Sequence, residues 1–319
     1  MIKTDGRASV TIFYTVTLLL PVFVLLLTGS IFSMEKSTLT SMYMYQINFI
    51  PTKGDLMIRL IASDVDGTLV KDGSGFINPE YYDVISQLRK KGITVCIASG
   101  RQYTSVRRLF RPVSEQLLYI AEGGGVLRSN SEVYHIEPLP QKYIHEFLED
   151  CRRCTEIDRI IATPDLTFTE TGETPMFHLL EDSYGFDIKN LDSFDQAPLD
   201  QVVKISLFHE TNAEEVCSKT LIPRWKDKLQ MVSSGSQWID CLSPQTSKGN
   251  ALKVLQNRPG ISPEETMVFG DNMNDISMLH QASYSFAIGN ARAEVKREAA
   301  FTADTYSNDG VLKELKKLL

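Results

Sequence analysis

Beyond residue 57 the chain alternates short apolar runs with stretches of helical periodicity. Residues 58–63 form a mostly apolar run that ends in acidic residues and Gly67, the pattern of a buried parallel strand ending at a site. Residues 79–91 carry Tyr82, Ile85 and Leu88 at helical spacing, and Gly92 closes that helix. A second strand at 93–98 runs into Ser99-Gly100-Arg101, followed by a helix through 106–110 and a third strand at 117–121. This order predicts an α/β fold: a doubly wound, Rossmann-like core around a parallel sheet, with right-handed crossovers. From about Leu139 to about Leu242 the rhythm changes. A strand at 202–208, a helix through 213–221 and a hairpin near 233–236 predict an inserted α+β domain. After Lys248 the alternation resumes, with a helix from Gly249, a strand at 266–269 and an acidic loop from Gly270. A helix through Met278, a strand at 285–288 and a terminal amphipathic helix complete it. The expected organisation is a core of residues 57–138 and 243–319 with an insertion at 139–242.

Composition narrows the class. The 319 residues are 43% hydrophobic and 23% charged, ordinary for a folded protein of about two domains. A formal net charge of -7 argues against nucleic acid as the main partner, because phosphate backbones need clustered Lys and Arg. Five cysteines, Cys96, Cys151, Cys154, Cys217 and Cys241, make no disulfide framework and suit reduced thiols in a cytoplasm. Cys151 and Cys154 form a C-x-x-C inside a helix, without the second pair a zinc site needs. The five histidines are scattered, and only His178, in the insertion, is a candidate for substrate contact.

The first 56 residues read differently. Residues 10–33 are uncharged and mostly apolar, long enough to cross a bilayer, with Lys3 and Arg7 ahead of them. A signal anchor and a signal peptide are two readings. The third is that residues 1–56 are an upstream translation extension, since Met57 directly precedes the first strand. A membrane is a partner only if 10–33 is translated and inserted; otherwise the protein is cytoplasmic. Oligomeric state is not legible.

The chemistry begins at the end of the first strand. Asp64 and Asp66 stand two apart on an extended backbone, so both carboxylates can aim at one point. Two close carboxylates repel and need a cation or a proton. Mg²⁺ fits, as a hard ion with oxygen ligands that binds substrate phosphate. Asp64-Val65-Asp66-Gly67-Thr68-Leu69 resembles the first signature of the haloacid dehalogenase superfamily. Ser99-Gly100-Arg101 resembles the second motif, Lys248 in Ser247-Lys248-Gly249 the third, and Gly270-Asp271-Asn272-Met273-Asn274-Asp275 the fourth. Residues 287–291 and 308–311 are similar to the tail of its Cof-type, subfamily IIB-like branch. The resemblance covers roughly 57–319. It departs at Glu122-Gly123-Gly124-Gly125, where the branch usually carries Asn-Gly-Ala.

What the resemblance implies is a Mg²⁺-dependent phosphatase. Asp64 would attack phosphorus and form an aspartyl-phosphate, and Asp66 would exchange protons with the leaving oxygen and water. Asp64, the Asp66 carbonyl and Asp271 would hold the metal. Ser99 and the Gly100 amide would bind phosphate, and Asn274 would contact the phosphate or a ligand water. Lys248 would add positive charge. Asp275 would orient Lys248 or outer waters, and Thr68 would position Asp66. Arg101 reads as a structural ion pair. The insertion resembles the α+β cap of that branch and falls between the second and third motifs. A cap excludes water and favours a small phosphorylated metabolite, with sugar phosphates leading and nucleotide, flavin or pyridoxal phosphates open. A phosphomutase or a disaccharide-phosphate phosphatase is the nearest alternative. A non-catalytic ligand-sensing or membrane-tethered regulator is the alternative from another class.

Overall fold

The computed structural model describes residues 57–319 apart from Tyr184, Ser234 and Gly235. The apolar stretch at 10–33, with the readings attached to it, lies outside the described residues. Among the described residues no helix is long and apolar enough to cross a membrane.

Strands β1 (Leu60–Ser63), β2 (Thr94–Ala98) and β3 (Leu117–Ala121) are each almost wholly buried. They join β4 (Val126–Arg128), β5 (Val133–Ile136), β12 (Thr266–Gly270), β13 (Tyr284–Ala287) and β14 (Phe301–Thr302) in an eight-stranded sheet of order β14-β13-β12-β1-β2-β3-β4-β5. Neighbours from β14 to β3 run parallel, as the α/β reading expects. The antiparallel arms β4 and β5 were not foreseen. Three or four residues are too few for periodicity to register. Helix α1 (Glu80–Lys90) buries Tyr81, Val84, Ile85 and Leu88, whereas Tyr82 is half-buried. The i, i+3, i+4, i+7 set starts at Tyr81, so the face is turned one residue from the expected one.

The insertion forms a second, six-stranded sheet, ordered β10 (Gln230–Ser233), β11 (Trp238–Leu242), β9 (Lys204–Phe208), β6 (Asp158–Ala162), β7 (Thr167–Thr169) and β8 (Ile188–Asn190). Its pairs are antiparallel except β7 with β8. The expected hairpin is β10–β11, with Ser233 opposite Ile239. The expected helix through 213–221 is instead two, Ala213–Ser218 and Leu221–Trp225. Pro223 is tolerated only in a first turn, so a new helix starts at Leu221. One face of this sheet, with Ile205, Leu207, Ile239 and Cys241, packs on Phe147, Leu148 and Cys151 of helix α2 (Gln141–Arg153) and on Trp225. All five cysteines are free, and burial pushes the Cys96 thiol up to about 12.

Phe147 is fully buried and meets the Trp225 ring edge-on at 5.0 Å. Phe147→Ala should therefore cost about 3–5 kcal/mol in urea unfolding. A loss below about 1 kcal/mol would contradict this packing.

Candidate active site

Strand order assembles the site. Because β1 lies between β12 and β2, Ser63 sits opposite Phe269 on one side and Ile97 on the other. Adjacent strands are about 4.8 Å apart, so the residues after their carboxyl ends emerge together: Asp64 after β1, Ser99 after β2 and Asp271 after β12. Here the strand order reverses, the switch point where open α/β sheets bind ligands.

Lys248 opens helix α3 (Lys248–Asn257), whose N-cap Ser247 accepts the Asn250 amide at 3.0 Å. Its ammonium is 1% exposed and donates to Asp64 Oδ1 at 2.6 Å and to Asp275 Oδ1 at 2.7 Å. The other oxygen of Asp275 accepts the amides of Asp271 and Asn272, each at 3.0 Å. Asp275 thus holds both the lysine and the acidic loop. Asp64, Asp271 and Asp275 each bring an oxygen within 4.8 Å of the others. Hard carboxylate oxygens at this spacing suit a divalent cation. Asp64 and Asp271 are the better donors, since both Asp275 oxygens are engaged.

The electrostatics agree with that fit. Burial, then Asp275 and Asp271, hold the Asp64 carboxyl well above its usual range, against the pull of Lys248. Burial and Asp275 push Asp271 up to about 6. Burial opposes the Lys248 charge, but Asp275 and Asp64 outweigh it and raise its pKa. Without a cation this cluster carries excess negative charge.

The turn after β1 is tight. Gly67 has φ +80°, and a Cβ there would lie 2.3 Å from Asp271 Oδ2, so the position admits only glycine. Thr68 does not hold Asp66 as expected. Its hydroxyl donates to Asp271 Oδ1 at 3.0 Å, because the turn swings residue 68 toward β12. Asp66 is held instead by Arg101, whose Nε donates to Oδ2 at 2.7 Å and whose Nη2 donates to Oδ1, with the Gly73 amide at 2.9 Å. Arg101 therefore makes an ion pair, as expected, but with a candidate catalytic carboxylate.

Asp64, Asp66, Gly100, Asp271 and Asn274 line one cavity of about 510 Å³. Ser99, Thr68, Lys248 and Asp275 are buried and are not part of its lining, and Ser99 Oγ accepts the Arg101 amide at 3.1 Å. His178 is exposed and does not line the cavity. Sequence reasoning missed the insertion's contribution: Lys204, Ser206, Trp238 and Asp240 also line it. It also missed Glu122, which is buried at φ +52° and pairs with Lys204 Nζ at 2.5 Å, as an ion pair rather than an aligned hydrogen bond. Asn tolerates positive φ better than Glu, so the departure at Glu122 signalled a side chain retained for another contact.

Comparison with known proteins then identifies the family. The sequence model for haloacid dehalogenase-like hydrolases matches residues 61–315. The chain belongs to the haloacid dehalogenase-like hydrolases. The 5-amino-6-(5-phospho-D-ribitylamino)uracil phosphatase YbjI of Escherichia coli is 29% identical, over 83% of this chain and 97% of that protein. Phosphatase YwpJ of Bacillus subtilis is 26% identical, over 82% and 100%. A crystal structure from Eubacterium rectale is 42% identical, with TM-score 0.77, over 82% of this chain and 100% of that one. A subclass IIB sugar phosphatase, BT4131, shares the fold at 23% identity and TM-score 0.69, over 82% of this chain and 98% of that one. Phosphatase chemistry is the activity these comparisons support.

Two measurements check this geometry. Because Asp271 takes up a proton near pH 6, protons compete with a cation below that pH. The rise in melting temperature on adding Mg²⁺ should shrink as pH falls from 7 to 5 and vanish in Asp271→Asn; a pH-independent rise would refute the assignment. Glu122→Gln should cost about 1–3 kcal/mol in urea unfolding, less than the ~3–5 of a wholly orphaned buried ion, because Asp240 remains 4.0 Å from Lys204. No loss would mean that the pair is not formed.

Proposed function

We propose that this chain hydrolyses a small phosphate monoester, a sugar phosphate or related phosphorylated metabolite, in a Mg²⁺-dependent reaction through an aspartyl-phosphate on Asp64. The observation that carries the reading is the buried Lys248 bridging Asp64 and Asp275, with Asp271 beside them. The lysine fixes the Asp64 carboxylate and leaves positive charge where a transferring phosphoryl group needs it.

Asp64 forms the bond to phosphorus as the bond to the leaving oxygen breaks, and Asp66 gives that oxygen its proton. Asp66 then takes a proton from water, which attacks phosphorus and releases inorganic phosphate and free Asp64. For this, Asp66 exchanges its Arg101 contact for the substrate's leaving oxygen, since catalytic hydrogen bonds often tighten only in the substrate complex. Asp64, Asp271 and the Asp66 carbonyl would hold Mg²⁺, which neutralises charge on the phosphate. The Ser99 hydroxyl, the Gly100 amide and Asn274 hydrogen-bond phosphate oxygens. Thr68 acts through Asp271. Residues 139–242 serve as a cap on the core of residues 57–138 and 243–319 that excludes water from the site, tied down by Lys204 donating to the Gly100 carbonyl at 3.0 Å. Two relatives, YbjI and the Bacillus subtilis YcsE, are named for a phosphorylated ribityl compound, in keeping with a small soluble substrate.

A panel of phosphorylated metabolites offered to the full-length chain tests this. Inorganic phosphate should appear with Mg²⁺, stop with chelator and vanish in Asp64→Asn; Asp66→Asn should lower kcat by about 10²–10⁴-fold. Turnover surviving Asp64→Asn would rule out the nucleophile, and phosphate returned to product instead of solution would indicate a mutase.

A further inference from the structure

The segment 99–102, which leaves β2 and carries the candidate phosphate donors, is held from two sides. The core takes alternate residues. The Ser99 amide donates to the Ile120 carbonyl at 2.8 Å, and the Ser99 and Arg101 carbonyls accept the Gly123 and Glu122 amides at 3.0 and 3.1 Å. The insertion takes the residues between and after them. Lys204 donates to the Gly100 carbonyl at 3.0 Å, and Gln102 sends its side chain to the insertion.

Gln102 is 2% exposed, so the polar atoms of its amide need partners. Its Nε2 donates to Thr167 Oγ1 at 2.9 Å and to the Asp187 carbonyl at 3.1 Å. Its Oε1 accepts the Asp187 amide at 2.9 Å and the Thr104 hydroxyl at 2.6 Å. Both donors and both lone pairs are therefore used. Three of these four bonds reach β7 or the residue just before β8. The side-chain amide pairs with the N–H and C=O of Asp187 as a neighbouring backbone would, and that carbonyl also accepts the Thr167 amide at 3.0 Å. The Arg108–Asp187 ion pair, at 2.7 Å, joins the same two parts of the chain, but it is exposed, and such pairs contribute little. Gln102 is buried and directly follows Arg101, whose guanidinium holds Asp66.

We infer that Gln102 is a positioning residue: by clasping Thr167 and Asp187 it sets the phosphate-binding segment from the insertion, so that docking of the insertion and affinity for phosphate are coupled. Such coupling is reciprocal and typically changes affinity about 5–150-fold. The inference rests on the reading that Ser99 and the Gly100 amide bind phosphate.

Titration calorimetry on the full-length chain tests it, with inorganic phosphate added at saturating Mg²⁺ and with Mg²⁺ added alone. Gln102→Ala should weaken phosphate binding about five- to tenfold while Mg²⁺ affinity, set by Asp64 and Asp271, stays within about twofold. Thr167→Val removes one acceptor in the insertion without touching the segment, and should weaken phosphate binding about threefold. Asp187→Asn removes the surface ion pair but not the backbone clasp, and should leave phosphate binding unchanged. Unaltered phosphate affinity in Gln102→Ala would overturn the inference. So would a parallel loss of Mg²⁺ affinity, or an equal loss of phosphate affinity in Asp187→Asn, since either marks general damage to the fold. Should Gln102→Ala not fold, Thr167→Val decides alone by the same criteria. A wild-type chain that binds Mg²⁺ but no phosphate would instead remove the phosphate role of Ser99 and Gly100, and the positioning role with it.

Discussion

Everything at the centre of this molecule is arranged around one buried ammonium. Lys248 is 1% exposed and sits between two carboxylates, with a third close by. Burying that charge is tolerable only because carboxylates stand 2.6 and 2.7 Å from it, and removing one partner from such a pair typically costs about 3–5 kcal/mol. The parallel sheet supplies the placement. It puts the ends of β1 and β12 side by side, and the helix that starts at Lys248 delivers the lysine across them. The surplus negative charge left over is what makes the cluster receptive to a divalent cation.

The same logic explains why the surrounding turns are so restrictive. Gly67 leaves no space for a Cβ beside Asp271, and Thr68 fixes that carboxylate from the same turn. Arg101 holds Asp66 and also donates to the Ser74 carbonyl at 3.0 Å. One guanidinium therefore links the second motif, the proposed acid and base, and the loop beyond the first motif. Such a fork gives directional restraint that an ammonium could not.

The insertion contributes more than cover. Lys204 ties its sheet to Gly100 and Glu122 of the core, so the insertion's residues that line the cavity are anchored to those that would bind the phosphate. Gly124, at φ +113°, lets the loop after β3 pass against Ser247, where a Cβ would lie 2.3 Å from its backbone. The glycine-rich departure in that loop thus lies against the residue that caps the Lys248 helix.

How much was legible in the sequence follows from range. The α/β order, the insertion and the acidic motifs are local signals: apolar runs ending in aspartate, glycine at turns, helical spacing. These fixed the fold class and brought Asp64, Asp66, Asp271 and Lys248 to notice. Short strands such as β4, the one-residue turn of helix α1 and the helix break before Pro223 lay below the resolution of periodicity. Partner choice lay further still. That Thr68 holds Asp271, that Arg101 holds Asp66 and that Glu122 meets Lys204 depend on contacts between residues 35 to 203 positions apart or across two sheets. Strand alternation told which side chains share a face, but only the packing of one sheet over the other decided that Trp238 and Asp240 line the site, because that choice is made by how the insertion docks on the core.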